Sequence, residues 1–177
     1  MFLTFAHDEW KKHLRPGDRV IDATCGNGYD ALFLSKLNLS HLYIFDIQEK
    51  ALKTTQNRLG PHKNVSYHLA CHSLFAGVKV PVHLIVYNLG YLPGGDHSLA
   101  TEVATTLKSL ETGLHLLNPG GLISITLYPG HPEGKREEKA LLAHLSMFSP
   151  KHFQISHHRV LNRSKAPSLL LIKKKYR

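Results

Sequence analysis

The segment Asp22-Ala-Thr-Cys-Gly26-Asn-Gly28 puts a carboxylate, an amide and two glycines within seven residues. Glycines in a turn let backbone come close to a ligand, and a helix that starts there offers free N–H groups. Asp46 lies 18 residues beyond Gly28. At the end of a strand it suits the hydroxyls of a ribose. Read literally, Gly26-x-Gly28-x-x-Ala31 also meets the dinucleotide fingerprint. Two features argue against a dehydrogenase. Asp22 would repel a pyrophosphate but suits the ammonium of an amino-acid moiety, and 177 residues leave no room for a separate substrate domain. S-adenosylmethionine carries ribose, adenine and an amino acid but no phosphate, and is the better-matched cofactor. The plain alternative is a strand–helix turn with no ligand.

A second group is Asn88-Leu-Gly-Tyr91-Leu-Pro-Gly-Gly-Asp96. If it follows a strand, its residues enter the crevice at the carboxyl ends of the sheet. Asn88 would then face the methyl donor, with Tyr91 and Pro93 shaping an acceptor pocket. An amide oxygen can accept a hydrogen bond from an amine and orient its lone pair. The alternative is a Pro/Gly surface turn. Tyr128-Pro-Gly-His131-Pro forms a third cluster, in which His131 reads either as catalytic or as structural. No GxSxG, Walker A or HExxH sequence occurs, which weighs against hydrolase, ATPase and zincin chemistry. The 14 histidines are scattered without zinc-finger spacing, so no metal site is expected.

These residues need a scaffold, and the apolar pattern supplies one. Residues 5–14 read as an amphipathic helix ended by Pro16-Gly17. Strands are expected at 19–23, 42–45, 65–69, 82–87 and 122–127, with helices over 31–37, 49–59, 98–117 and 133–148 between them. Asn118-Pro-Gly-Gly121 is expected to close the longest helix. Two last strands, 153–161 and 168–174, are joined by a polar loop around Pro167. The alternation predicts an α/β fold: a mostly parallel twisted sheet with helices on both faces and an antiparallel C-terminal strand pair. One domain over 1–177 is expected, with an N-terminal helix in 1–16 and a basic strand pair in 151–177.

Hydrophobic residues make up 42% and charged residues 20% of the chain, a globular composition that excludes a disordered or collagenous one. No apolar run approaches the roughly 20 residues of a membrane span. Met-Phe-Leu-Thr-Phe lacks the basic and apolar regions of a signal peptide, and Cys25 and Cys71 form no CxxC, so a reduced, cytoplasmic protein is expected. The net charge of +9 is unevenly spread. Residues 1–150 hold 14 basic and 13 acidic residues, whereas 151–177 hold eight basic residues and no acid. Such a segment attracts polyanions over about a Debye length, roughly 8 Å at physiological salt. The alternative is a solvated tail.

Together these segments resemble class I methyltransferases, and are similar to the MnmM (YtqB-like) family, long labelled rRNA methylases. The resemblance spans nearly the whole chain. It rests on Asp22-Ala-Thr-x-Gly-Asn-Gly28 with Asp30, Asp46-Ile-Gln48, Cys71-His72-Ser73 and the Asn88–Asp96 run, then on Leu122-Ile-x-Ile, Tyr128-Pro-Gly-His131 and Gly134-Lys135. The resemblance implies a Rossmann-like fold. It also implies methylation of the aminomethyl nitrogen of 5-aminomethyl-2-thiouridine at the wobble position of tRNA, giving 5-methylaminomethyl-2-thiouridine. Asn27, Asp46, Gln48, His72 and Ser73 would contact the cofactor, joining Asp22 and Gly28. One departure stands out: the family's Asn-Gln…Asn-Pro-Pro stretch before the last strand is here Asn162-Arg-Ser-Lys-Ala-Pro167-Ser168.

The partner expected is therefore tRNA, at its anticodon region, with Arg159, Arg163 and Lys165 as RNA contacts. Asp96, Tyr128 and His131 are candidate bases, although desolvation and the cofactor's positive charge would themselves lower the amine's pKa. Other readings remain: an rRNA or small-amine methyltransferase, and a non-catalytic Rossmann-like RNA-binding protein. The basic segment disfavours a small amine. A homodimer would have to use a sheet edge or a helix face.

Overall fold

The computed structural model describes residues 2–89, 103–163 and 165–176. The elements run α1 (Phe2–His13), β1 (Arg19–Asp22), α2 (Tyr29–Ser35), β2 (His41–Asp46), α3 (Glu49–Leu59) and β3 (Val65–Leu69). They continue with β4 (Val82–Asn88), α4 (Val103–Leu116), β5 (Leu117–Leu127), α5 (Pro132–Leu145), β6 (Phe153–His158) and β7 (Ser168–Lys174). The seven strands form one sheet in the order β3-β2-β1-β4-β5-β7-β6. The first five in that order are mutually parallel, and β7 lies antiparallel between β5 and β6.

Strand periodicity explains the layering. Successive side chains of a strand point to opposite faces. Val20, Ile44, Leu84 and Val86 accordingly join Trp10, Leu34 and Leu52 on one side. Ile21, Phe45, Ile85 and Tyr87 join Phe75, Leu110 and Leu141 on the other. Val20, Ile21, Leu84 and Ile85 are fully buried, as a parallel sheet covered on both faces requires. From β1 the chain steps outward to β2 and β3, then returns to build the other half from β4. That reversal between β1 and β4 is the topological switch point of a doubly wound sheet, where ligands bind beyond the carboxyl ends.

Several boundaries differ from the expected ones. The helix expected over 98–117 ends at Leu116, its start falls outside the described residues, and β5 begins at once. Leu117 pairs with Val82 and Leu122 with Leu84, so five steps on β5 oppose two on β4. The Asn118–Gly121 segment is thus a bulge within the strand rather than a helix stop. Pro119 has no N–H for the ladder, and Gly120 adopts φ +80°. Strand β6 ends at His158 rather than 161, because its partner β7 begins at Ser168 and the ladder runs out at His158–Leu169. Helix α1 starts earlier than expected, and Pro132 rather than residue 133 opens α5. No helix among the described residues is long and apolar enough to cross a membrane.

Candidate active site

The glycine turn is fastened to both neighbouring strands. The Cys25 N–H donates to the Phe45 carbonyl at 3.0 Å. Asp46, at the end of β2, accepts the Gly26 N–H at 3.0 Å through Oδ2 and the Gln48 N–H at 2.9 Å through Oδ1. One carboxylate therefore fixes the turn and the start of α3 together. Gly28 caps α2 in the left-handed region, φ +77°. A Cβ there would lie 2.7 Å from Thr55 Oγ1 and 2.9 Å from Thr55 Cα, so α3 packs where a side chain would go. The Asn27 carbonyl accepts Arg58 Nε at 2.7 Å, and the Arg58 guanidinium sits 4.0 Å over the Tyr29 ring.

Three carboxylates meet at the carboxyl ends of β1 and β2 and the first turn of α2. Asp22 is fully buried; Oδ1 accepts only a long bond from the Thr24 N–H, 3.3 Å, and Oδ2 has no partner among the described residues. Burial, then the charge of Asp30, pushes the Asp22 carboxyl well above the usual carboxylate range, with Asp46 adding to the rise. Asp30 is buried as well, and both its oxygens are engaged, by His7 Nε2 at 2.6 Å and Asn88 Nδ2 at 2.5 Å. The Asn88 N–H donates to Thr24 Oγ1 at 2.7 Å, which ties β4 to the glycine turn. Asn88 Oδ1 is buried without a partner among the described residues.

The loop after β3 carries His72 and Ser73. His72 is buried, its ring edge-on to Tyr87 at 5.8 Å, and desolvation lowers its pKa to about 4. Ser109 on α4 donates to the His72 carbonyl at 3.0 Å and lies 2.9 Å from the Tyr87 hydroxyl. The Ser73 carbonyl accepts Thr112 Oγ1 at 3.0 Å. Helix α4 thus sets the course of this loop.

Tyr128 follows β5 at the same sheet edge, and desolvation together with the charge of Asp30 raises its phenol pKa. His131 caps α5: its Nδ1 accepts the Gly134 N–H at 3.1 Å. A Cβ on Gly134 would collide with the Tyr128 carbonyl, so the turn is closely packed. Because β7 runs antiparallel and Ser168 pairs with Leu127, the 159–167 connection returns over the carboxyl end of β5. It carries exposed Arg159, Arg163 and Lys165, and the Lys165 carbonyl comes within 3.6 Å of where a Cβ on Gly130 would stand. Tyr91 and Asp96 lie outside the described residues.

The family described as "Putative rRNA methylase" matches residues 42–174. The chain belongs to this family. An Arabidopsis thaliana protein, tRNA (mnm(5)s(2)U34)-methyltransferase, chloroplastic, is 36% identical over 187 residues, covering 96% of this chain and 68% of that protein. A crystal structure titled as a putative rRNA-methylase from Clostridium thermocellum has a TM-score of 0.92 at 35% identity, covering 97% of this chain and 96% of that one. A putative methyltransferase from Streptococcus mutans, in complex with SAH, has a TM-score of 0.89 at 34% identity, with 97% of each chain covered. Ribosomal protein L11 methyltransferase of Legionella pneumophila (strain Corby) is 34% identical over 107 residues, and the chain spans about a third of its length.

In this methylase fold the sequence-predicted residues Asp22, Asn27, Gly28, Asp46, Gln48, His72, Ser73, Asn88, Tyr128 and His131 all fall on the carboxyl edge of the sheet or the loops leaving it. His7, Thr24 and Arg58 were not singled out from sequence, yet Thr24 bonds to Asn88, Arg58 bonds to Asn27, and His7 reaches Asn88 through Asp30. His7 comes from α1, 23 residues before Asp30, and only the tertiary fold joins them. A separate cleft of about 630 Å³ opens at the opposite, amino edge, lined by Lys12, His13, Asp18, His83 and Lys173 among others. It contains none of the predicted residues.

Proposed function

We propose that the chain is an S-adenosylmethionine-dependent N-methyltransferase that converts 5-aminomethyl-2-thiouridine to 5-methylaminomethyl-2-thiouridine at the wobble position of tRNA. The observation that carries this reading is a pair of buried acceptors, Asp22 Oδ2 and Asn88 Oδ1, at the ends of adjacent strands and without donors among the described residues. Buried polar atoms need partners. An amino-acid ammonium would satisfy the first and a substrate amine the second. The likeness to the Arabidopsis tRNA methyltransferase supports the choice of acceptor, and the SAH complex of the Streptococcus relative supports the cofactor.

Asp22 would accept from the cofactor's ammonium, and Asp46, its two oxygens already anchored by backbone N–H groups, would use its remaining lone pairs for the ribose hydroxyls. Asn27, Gly28, Gln48, His72 and Ser73 would line the rest of that cradle. When bound, S-adenosylmethionine supplies a methyl on sulfonium sulfur; transfer forms an N–C bond, leaves the S–C electron pair on sulfur and releases one ammonium proton to solvent. Asn88 would hold the amine with its lone pair free. With a lysine-like pKa of about 10.4, deprotonating that amine near pH 7.4 costs about 4 kcal/mol, which desolvation lowers. Tyr91, Asp96, Tyr128 and His131 are proposed for the acceptor side, where His131 also serves as the cap of α5. Arg159, Arg163 and Lys165 would hold anticodon-region phosphates.

Asn88→Ala tests the reading. Turnover on tRNA bearing the aminomethyl nucleoside should fall about 100-fold, with cofactor affinity changed less than about threefold. Equal losses in both would remove Asn88 from the acceptor site.

A further inference from the structure

We propose that Asp30, held by His7, is a positioning residue that locks the Asn88 amide with its oxygen toward the acceptor amine. The proposal rests on the N-methyltransferase reading. A carboxylate only accepts hydrogen bonds, so the group that Asn88 turns toward Asp30 has to be its NH2. With Nδ2 committed to Asp30 Oδ2, Oδ1 faces the opposite way, and a flipped amide would set oxygen against carboxylate.

Asp30 is itself unable to turn. It is 4% exposed, and its second oxygen is held by His7 Nε2. The His7 ring is stacked on Phe33 at 3.9 Å with an interplanar angle of 11°, and lies 5.0 Å from Trp10. Packing of α1 against α2 therefore fixes the imidazole, the imidazole fixes the carboxylate, and the carboxylate fixes the amide. The backbone of Asn88 is fixed separately through Thr24. The relay joins α1, α2 and β4, and explains why a charged side chain is kept buried in the first turn of α2.

The test compares Asp30→Asn, Asn88→Asp and the double substitution, using the full-length protein, S-adenosylmethionine and tRNA bearing 5-aminomethyl-2-thiouridine. In Asp30→Asn the neighbour of Asn88 both donates and accepts, so the amide orientation is no longer dictated. The kcat should fall about 10- to 100-fold, with KM for tRNA and cofactor affinity within about threefold. In the double variant the amide at position 30 donates to the carboxylate at 88, which leaves one oxygen aimed at the amine. Assayed at pH 9, to offset the added charge beside the amine, the double variant should recover at least tenfold over Asp30→Asn. Wild-type kcat in Asp30→Asn, or a double variant no better than its worse single, would overturn the proposal.

A second readout does not depend on turnover. The Asn88 side-chain NH2, observed by NMR, should exchange slowly with solvent in the wild type and faster in Asp30→Asn. If wild-type protein fails to methylate this nucleoside, the functional reading fails. Slow exchange would still support the lock, and fast exchange in the wild type would overturn it.

Discussion

A buried histidine in the loop after β3 makes the fold sensitive to pH before any substrate arrives. His72 has a folded pKa of about 4 against an ordinary value of 6.5, because burial penalises its charged form. Between those values the unfolded chain binds a proton that the folded protein refuses. Stability therefore rises with pH across this window, and is lost as pH falls from 6.5 toward 4. That difference is worth roughly 3 kcal/mol at most. His72→Gln should flatten the dependence of the urea midpoint on pH between 4 and 6.5; an unchanged slope would show that His72 takes no part. At this scale the sequence was legible where chemistry is written locally. Asp22, Asp46 and Asn88 each end a strand whose apolar run announces the boundary. His7 and Arg58 carry no such signal, since their bonds to Asp30 and Asn27 span 23 and 31 residues.

The turn that opens helix α2 holds two of the predicted cofactor residues, Asn27 and Gly28, and its geometry depends on a position without a side chain. A Cβ at residue 28 would meet the Thr55 backbone in a left-handed conformation, so relaxing one clash leaves the other. Gly28→Ala should cost about 1–3 kcal/mol, a fall in Tm of several degrees for a chain of this length. A thermal melt equal to wild type would mean that α3 yields freely there. Glycines at 26 and 28 made the turn readable in sequence, but the packing of Thr55 against it did not show, because it is set by α3. The β5 bulge was missed for a related reason. Asn-Pro-Gly-Gly is a turn signal, and only the pairing of Leu117 with Val82 shows that the strand begins before it.

Across the whole molecule, the basic C-terminal segment divides. The antiparallel return of β7 sends Arg159, Arg163 and Lys165 to the carboxyl edge, where the Lys165 carbonyl approaches Gly130, and Lys151, Lys173 and Lys175 to the other end. Lys174 is used internally, donating to the Leu114 and Leu117 carbonyls at 2.7 and 2.8 Å at the end of α4. A count of charge along the chain could not separate these groups, since the division comes from strand direction. Replacing Arg159, Arg163 and Lys165 together by Gln should reduce the slope of log K against log salt for tRNA binding by roughly 2. Lys173→Gln with Lys175→Gln should leave it unchanged. The reverse pattern would move the RNA to the amino edge.

The measurement that bears most directly on the whole account is nucleoside mass spectrometry after incubating the protein with S-adenosylmethionine and tRNA carrying 5-aminomethyl-2-thiouridine. The account predicts one added methyl on that nucleoside, abolished in Asp46→Ala. An unmodified nucleoside, with cofactor binding demonstrated on the same preparation by calorimetry, would contradict it.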